Sequence, residues 1–142
     1  MRRITFRGKR IDNAQWIYGD LVRFFNQTYI FNFSYKSKKT NLWCKETDFF
    51  MGGIENVIPK TVGQIINNIG EKIMYENDII EYGLQAGRKE SSFAIVKYNE
   101  IIGGFILVKN GKHCGSICQV REIVGNIHDA TEEQKKEWKL KW

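Results

Sequence analysis

Proline occurs once in this chain of 142 residues, histidine twice and cysteine three times. Each scarcity excludes something. An odd set of cysteines, Cys44, Cys114 and Cys118, with no disulfide-like spacing excludes a disulfide framework and predicts a reducing, cytoplasmic setting. No apolar run approaches the roughly 20 residues that a membrane helix needs. Arg2 and Arg3 lead into Ile4, Thr5 and Phe6 rather than into an apolar stretch, so no secretory leader is expected. Zinc sites usually take four ligands from paired, closely spaced residues. Here His113, Cys114 and Cys118 are the nearest approach. Along an extended strand Cys114 and Cys118 stand about 13 Å apart, too far for one ion. Neither a metal nor any other cofactor is expected.

Catalytic motifs are equally scarce. No serine stands in a glycine-flanked elbow. Gly103-Gly104 lacks the strand–loop–helix setting of a phosphate loop. His113 and Cys114 are adjacent in sequence and would point to opposite faces of a strand. Glu46, Asp48, Glu76 and Asp78 are available carboxylates, but nothing selects a pair among them. No catalytic residue is assigned.

What the chain does have is aromatic and basic residues. Hydrophobic residues make up 42% and aromatics 13%, enough for a sizeable core. Twenty-two basic residues against 16 acidic ones leave a net charge of +6, which permits salt-sensitive contact with phosphates without requiring it.

The pattern is that of a β protein. Ile4–Phe6 reads as a short strand, Gly8-Lys9-Arg10 as a turn and Trp16–Val22 as a second strand. Phe24-Phe25 starts another apolar segment. Tyr29–Tyr35 alternates, with Tyr29, Phe31, Phe33 and Tyr35 on one face. Lys36, Lys38 and Lys39 follow in a polar loop. Pro59 sits in an extended stretch, 54–62, that suits an edge strand.

Lys72–Tyr82, KIMYENDIIEY, reads as strand, polar turn and strand, because Asn and Asp suit a tight turn and the flanking residues favour sheet. Phe93–Tyr98 and Ile101–Val108 read as central strands joined at Asn99-Glu100. Asn110-Gly111 predicts a two-residue hairpin into a strand from Lys112 to about Val120. A last β segment includes Ile123 and Val124. Only the end looks helical: Asp129 would cap it, with Glu132 completing a capping box. Trp138 and Trp142 would share one helical face and dock the tail, within the chain or on another copy.

Four ordered pieces are similar to the YopX family of phage and prophage proteins. The opening FRGKR with Trp16-Ile17-Tyr18-Gly19-Asp20 resembles that family's FRGKR and W-x-x-G-D. Pro59–Gln64 resembles its P-x-T-V-G-Q, Lys72–Ile80 its K-x-I-Y-E-G-D-I-V, and Glu122–His128 its E-V-I-G-N-I-Y. Asn77 stands in place of the family's glycine and His128 in place of its aromatic residue. The resemblance implies a mainly β protein encoded by a phage or prophage and acting in the bacterial cytoplasm. It implies no activity.

Together these readings predict a mainly β fold of small antiparallel barrels, SH3-like in part, with a short C-terminal helix. The expected division is an N-terminal β subdomain at 1–70, a barrel-like subdomain at 71–128 and a helical tail at 129–142. The leading functional expectation is a non-enzymatic accessory protein that binds other proteins as a homo-oligomer, its partners of phage or host origin, with no membrane contact. The alternative is nucleic-acid binding through Arg7, Lys9, Arg10, Tyr29, Phe31, Phe33, Tyr35, Lys36, Lys38 and Lys39, where bases would stack on the aromatic strand and lysines would contact phosphates. A carboxylate-based enzyme is the third reading.

Overall fold

The computed structural model describes residues 4–31, 53–69, 72–83 and 92–142. The protein is mainly β, built from antiparallel sheets, one of them curled into a half-barrel, with a short C-terminal helix. The chain divides into two compact units, Met1–Ile65 and Ile66–Trp142.

The first unit contains β1 (Phe6–Lys9), β2 (Trp16–Phe24), β3 (Gln27–Phe31), β4 (Ile54–Asn56) and the start of β5 (Gly63–Ile69). Their order across the sheet is β4-β3-β2-β1-β5. Residues Gly8 and Lys9, expected in a turn, belong to β1, where Gly8 faces Ile17 and Lys9 faces Trp16. The turn follows at Ile11–Asn13, after Arg10, which is still bridged to Val57. There Arg10 N–H donates to Gln15 O, and Asn13 Oδ1 accepts from Gln15 N–H. Gly8 sits under the core: a Cβ there would stand 3.2 Å from Ile30 Cδ1 and from Val57 Cβ, both on fully buried side chains. A larger residue would have to displace both.

Pro59 does not lie in a strand. It opens a 3-10 turn, Pro59–Thr61, where its fixed φ is already suitable. The buried Thr61 hydroxyl accepts from Lys9 N–H at 2.9 Å and donates to Ile58 O at 2.7 Å. That hydroxyl ties the turn to β1, which explains why a threonine stands between Pro59 and the start of β5.

The second unit takes the end of β5 and adds β6 (Lys72–Tyr75), β7 (Asp78–Tyr82), β8 (Ser92–Asn99), β9 (Gly104–Lys109), β10 (Lys112–Ser116), β11 (Val120–Asn126) and α1 (Glu132–Trp138). Five strands form a sheet of order β10-β9-β8-β7-β11. Successive side chains of a strand point to opposite faces. Ile80, Ala94, Val96 and Leu107 therefore pack on one face with Ile66, Met74 and Tyr82. Ile79 and Ile95 pack on the other, with Trp138 and Leu140. Both faces are buried at Ile79-Ile80 of β7 and Ala94–Val96 of β8, the consecutive apolar residues of each strand.

The hairpin at Asn110-Gly111 forms as expected, with φ of 51° and 77°. The β8–β9 connection is longer than expected: Glu100–Gly103 is all turn, and β9 starts at Gly104. Gly103 takes φ of 63°, and Asn99 Oδ1 accepts from the amides of Ile101 and Ile102. The expected strand after Gly111 ends at Ser116, and Ile117–Gln119 forms a 3-10 turn before β11.

Polar groups join these strands. Asn77 turns β6 into β7 with φ of 69°, and Asp78 behind it is almost wholly buried. Asp78 Oδ2 accepts from Tyr75 N–H at 2.8 Å, and Asp78 Oδ1 accepts from Asn126 Nδ2 at 3.1 Å. Asn126 Nδ2 also donates to Asn77 O at 2.9 Å, while Asn77 N–H donates to Val96 O. Lys97 Nζ reaches Asn77 Oδ1 at 2.6 Å. Asn126 Oδ1 and O then accept from the amides of His128, Asp129 and Ala130, turning the chain toward α1.

A buried acceptor left without its donor costs the full desolvation of that group. Asn126→Ala deprives Asp78 Oδ1 and Asn77 O of a shared donor. The variant should lose about 1–3 kcal/mol in urea unfolding; unchanged stability would show that the amide contributes nothing.

Candidate functional site

Among the described residues, the basic and aromatic side chains singled out in the first unit are packed or paired within it. Arg7 is buried, its guanidinium 4.6 Å from the Trp16 ring centroid, and Lys9 Nζ lies 5.3 Å from the same ring. Cross-strand pairing produces this, since Lys9 stands opposite Trp16 and Arg7 one pair along on the same face. Arg10 lies between two carboxylates, Asp12 at 2.6 Å and Glu55 at 3.2 Å. The hydrogen bond from Arg10, with its charge, holds the Asp12 carboxyl below its ordinary value. These cations are engaged by an indole and by acids of their own unit.

The aromatic stripe also turns inward where it is described. Phe31 is buried, and its neighbour Ile30 on the opposite face is wholly so. Pairing with β2 on one side and β4 on the other encloses this end of β3. Tyr29 is half-buried and its hydroxyl donates to Gln27 Oε1. Arg7 and Phe31 are thus corrected from surface contacts to packed residues. Phe33, Tyr35, Lys36, Lys38 and Lys39 lie outside the described residues.

The tail is corrected as well. Thr131, not Asp129, caps α1: its hydroxyl accepts from Gln134 N–H, and the Gln134 side chain accepts from Thr131 N–H at 2.9 Å. The helix stops at Trp138. Lys139 takes a left-handed φ of 53°, and Leu140 N–H returns to Lys135 O in a Schellman arrangement. Trp138 and Trp142 therefore do not share a helical face. Trp138 is buried against Phe93, ring centroids 6.1 Å apart, and over Gly125, where a Cβ would come within 3.3 Å of the indole. Trp142 remains 45% exposed, with Lys135 Nζ 4.8 Å from its ring centroid.

Cys114 and Cys118 have separate surroundings. Cys114 packs on the core and its thiol donates to Leu107 O at 3.4 Å, while exposed Cys118 contacts Ser116 Oγ. His113 Nε2 lies 2.9 Å from Gly115 O. No group of three or more His, Cys, Asp or Glu suited to a metal stands among the described residues. Asp78, weighed above as a carboxylate for catalysis, is a buried structural acceptor.

Two features carry exposed chemistry instead. The first is the β2–β3 turn. Phe24 is 62% and Phe25 89% exposed, their rings edge to face at 4.4 Å. Phe25 holds φ of 52°, a conformation that side chains other than Asn, Asp and Gly seldom adopt. The second is a cleft in the second unit, beside α1 and the chain beyond it, lined by Asn110, four lysines and Trp142 among others. The sequence reads Phe24-Phe25 as the start of an apolar segment and does not single out the cleft. The close spacing of lysines before Trp142 was the available signal for the latter.

Trp138→Ala should cost about 3–5 kcal/mol, as expected for a large core aromatic, whereas Trp142→Ala should stay within about 0.5 kcal/mol. Thermal unfolding of the two variants separates the roles, and equal losses would contradict the burial difference. Tyr82 supplies a second test. Burial, and then a hydrogen bond and charge at Cys114, push its phenol up to about 12. A raised folded value keeps this contribution intact below the ordinary pKa near 10 and removes it as pH rises from about 10 to 12. The alkaline fall in melting temperature should be shallower in Tyr82→Phe, and identical slopes would count against a buried neutral phenol.

No helix among the described residues is long and apolar enough to cross a membrane. In comparison with known proteins, no family model, no curated protein and no solved structure matches the chain.

Proposed function

We propose that this is a non-catalytic accessory protein of phage or prophage origin, working in the bacterial cytoplasm by binding protein surfaces and assembling with copies of itself. The four ordered motifs support the origin. The observation that carries the binding role is Phe25, which is 89% exposed and holds a left-handed backbone.

A tight hairpin turn is ordinarily filled by Asn, Gly or Asp, which take positive φ at little cost and are compatible with water. Phe25 incurs backbone strain and exposes an aromatic ring at the same position. Such outliers concentrate where a partner uses them. Phe24 braces the ring from the side, so the pair projects as a preformed aromatic knob. Aromatic anchors of this kind dominate the energetics of protein interfaces.

A second copy is the occupant that the low charge of the tip permits. The chain is strongly basic overall, and two copies repel over most of their surface. From Val22 to Gln27 the tip carries a single charge, Arg23, so two tips can meet with little repulsion. A contact this small is reversible and depends on concentration.

Light scattering across a concentration series should show mass rising above that of one chain. Phe24→Ser combined with Phe25→Ser should hold it at one chain without lowering the melting temperature. If the double variant associates as the parent does, the tip is not the interface. Trp138 and Leu140 of the tail are buried in their own unit and stand outside this interface.

A further inference from the structure

The cleft beside α1 combines positive charge with an exposed aromatic ring. It holds about 550 Å³, within the range of pockets that take small organic ligands. Lys135, Lys136, Lys139 and Lys141 line it, against one glutamate, Glu132. That glutamate is bonded to Lys135, whose ammonium also lies over Trp142. Lys136, Lys139 and Lys141 have no carboxylate within ion-pairing distance among the described residues.

The wall is fixed rather than frayed. Asn110, at the β9–β10 turn, accepts from Lys141 N–H at 2.8 Å and donates to Lys139 O at 3.5 Å. Leu140, between those two lysines, is buried in the core. The left-handed turn at Lys139 puts Leu140 into the core, where it also lines the cleft together with Lys139 and Lys141. Trp142 ends the wall with nearly half its surface open.

An unneutralised group of ammonium ions attracts phosphate, and an exposed indole offers a stacking face to a flat ring. Nucleotides carry both groups. Base–aromatic stacking with phosphate on nearby cations is the general means of holding them without sequence preference. We propose that this cleft binds a nucleotide unit, its base against Trp142 and its phosphate among Lys136, Lys139 and Lys141. Free nucleotides and single-stranded nucleic acid share that chemistry. This site is separate from the hairpin tip and does not depend on self-association.

The test uses the full chain and a fluorescein-labelled single-stranded oligothymidylate, read by anisotropy at low and moderate salt, with AMP and ATP as competitors. Trp142→Ala should weaken binding about tenfold. Lys136→Ala with Lys141→Ala should weaken it about tenfold at low salt and flatten the salt dependence. Arg23→Ala with Lys60→Ala removes two exposed charges from the first unit and should stay within about twofold. Circular dichroism confirms that each variant is folded. Competition by AMP or ATP identifies a free nucleotide as sufficient, and oligonucleotide binding without such competition identifies a unit within a strand; both support the site. Absence of binding by oligonucleotide and nucleotides alike, an unaffected Trp142→Ala, or an equal loss in the first-unit variant would overturn it.

Discussion

The second unit depends on satisfying one carboxylate. Asp78 is almost entirely enclosed, and an enclosed carboxylate is tolerated only where donors replace water. The donors come from different parts of the chain: the amide of Tyr75 two residues before the turn's end, and the side chain of Asn126 at the far end of β11. Asn77 completes the arrangement by exchanging bonds with β8 and β11. Four strands and the approach to α1 are thereby fixed by three adjacent polar side chains. The apolar clusters on either face then pack on strands whose register is already determined.

The same logic accounts for residues that seem ordinary in sequence. Gly8 and Gly125 are small because Ile30, Val57 and Trp138 occupy the space a side chain would need. Thr61 is a threonine because its hydroxyl must accept and donate at once. Three of the four motif pieces singled out in the sequence therefore include a residue whose identity follows from packing or hydrogen bonding, and the fourth, Lys72–Ile80, contains the buried turn.

Local chemistry made much of this legible. The Asn110-Gly111 hairpin, the KIMYENDIIEY turn and the apolar β7 and β8 follow from backbone preference and side-chain period. Other features required the tertiary context. Alternation in β3 cannot reveal that neighbouring strands would enclose Phe31, nor can the charge of Arg7 announce that Trp16 stands across from it. Thr131 displaced Asp129 as the cap because Gln134 lies where it can return the bond. Trp138 and Trp142 share helical spacing, but a left-handed Lys139 intervenes, and no period reports a residue that leaves the helix. The cleft brings Asn110 together with residues about thirty positions later, a juxtaposition of two turns rather than a motif.

The bond between Asn126 and Asp78 spans 48 residues. Contacts so distant in sequence form late, because the intervening chain must first lose its freedom. During synthesis, β6 and β7 emerge well before the side chain that completes their turn. Until then Asp78 keeps water in place of Asn126, and the apolar face that Trp138 and Leu140 later cover stays open. Strands made early in this unit are thus held back from closing by residues made later, which leaves β surface exposed in the interval.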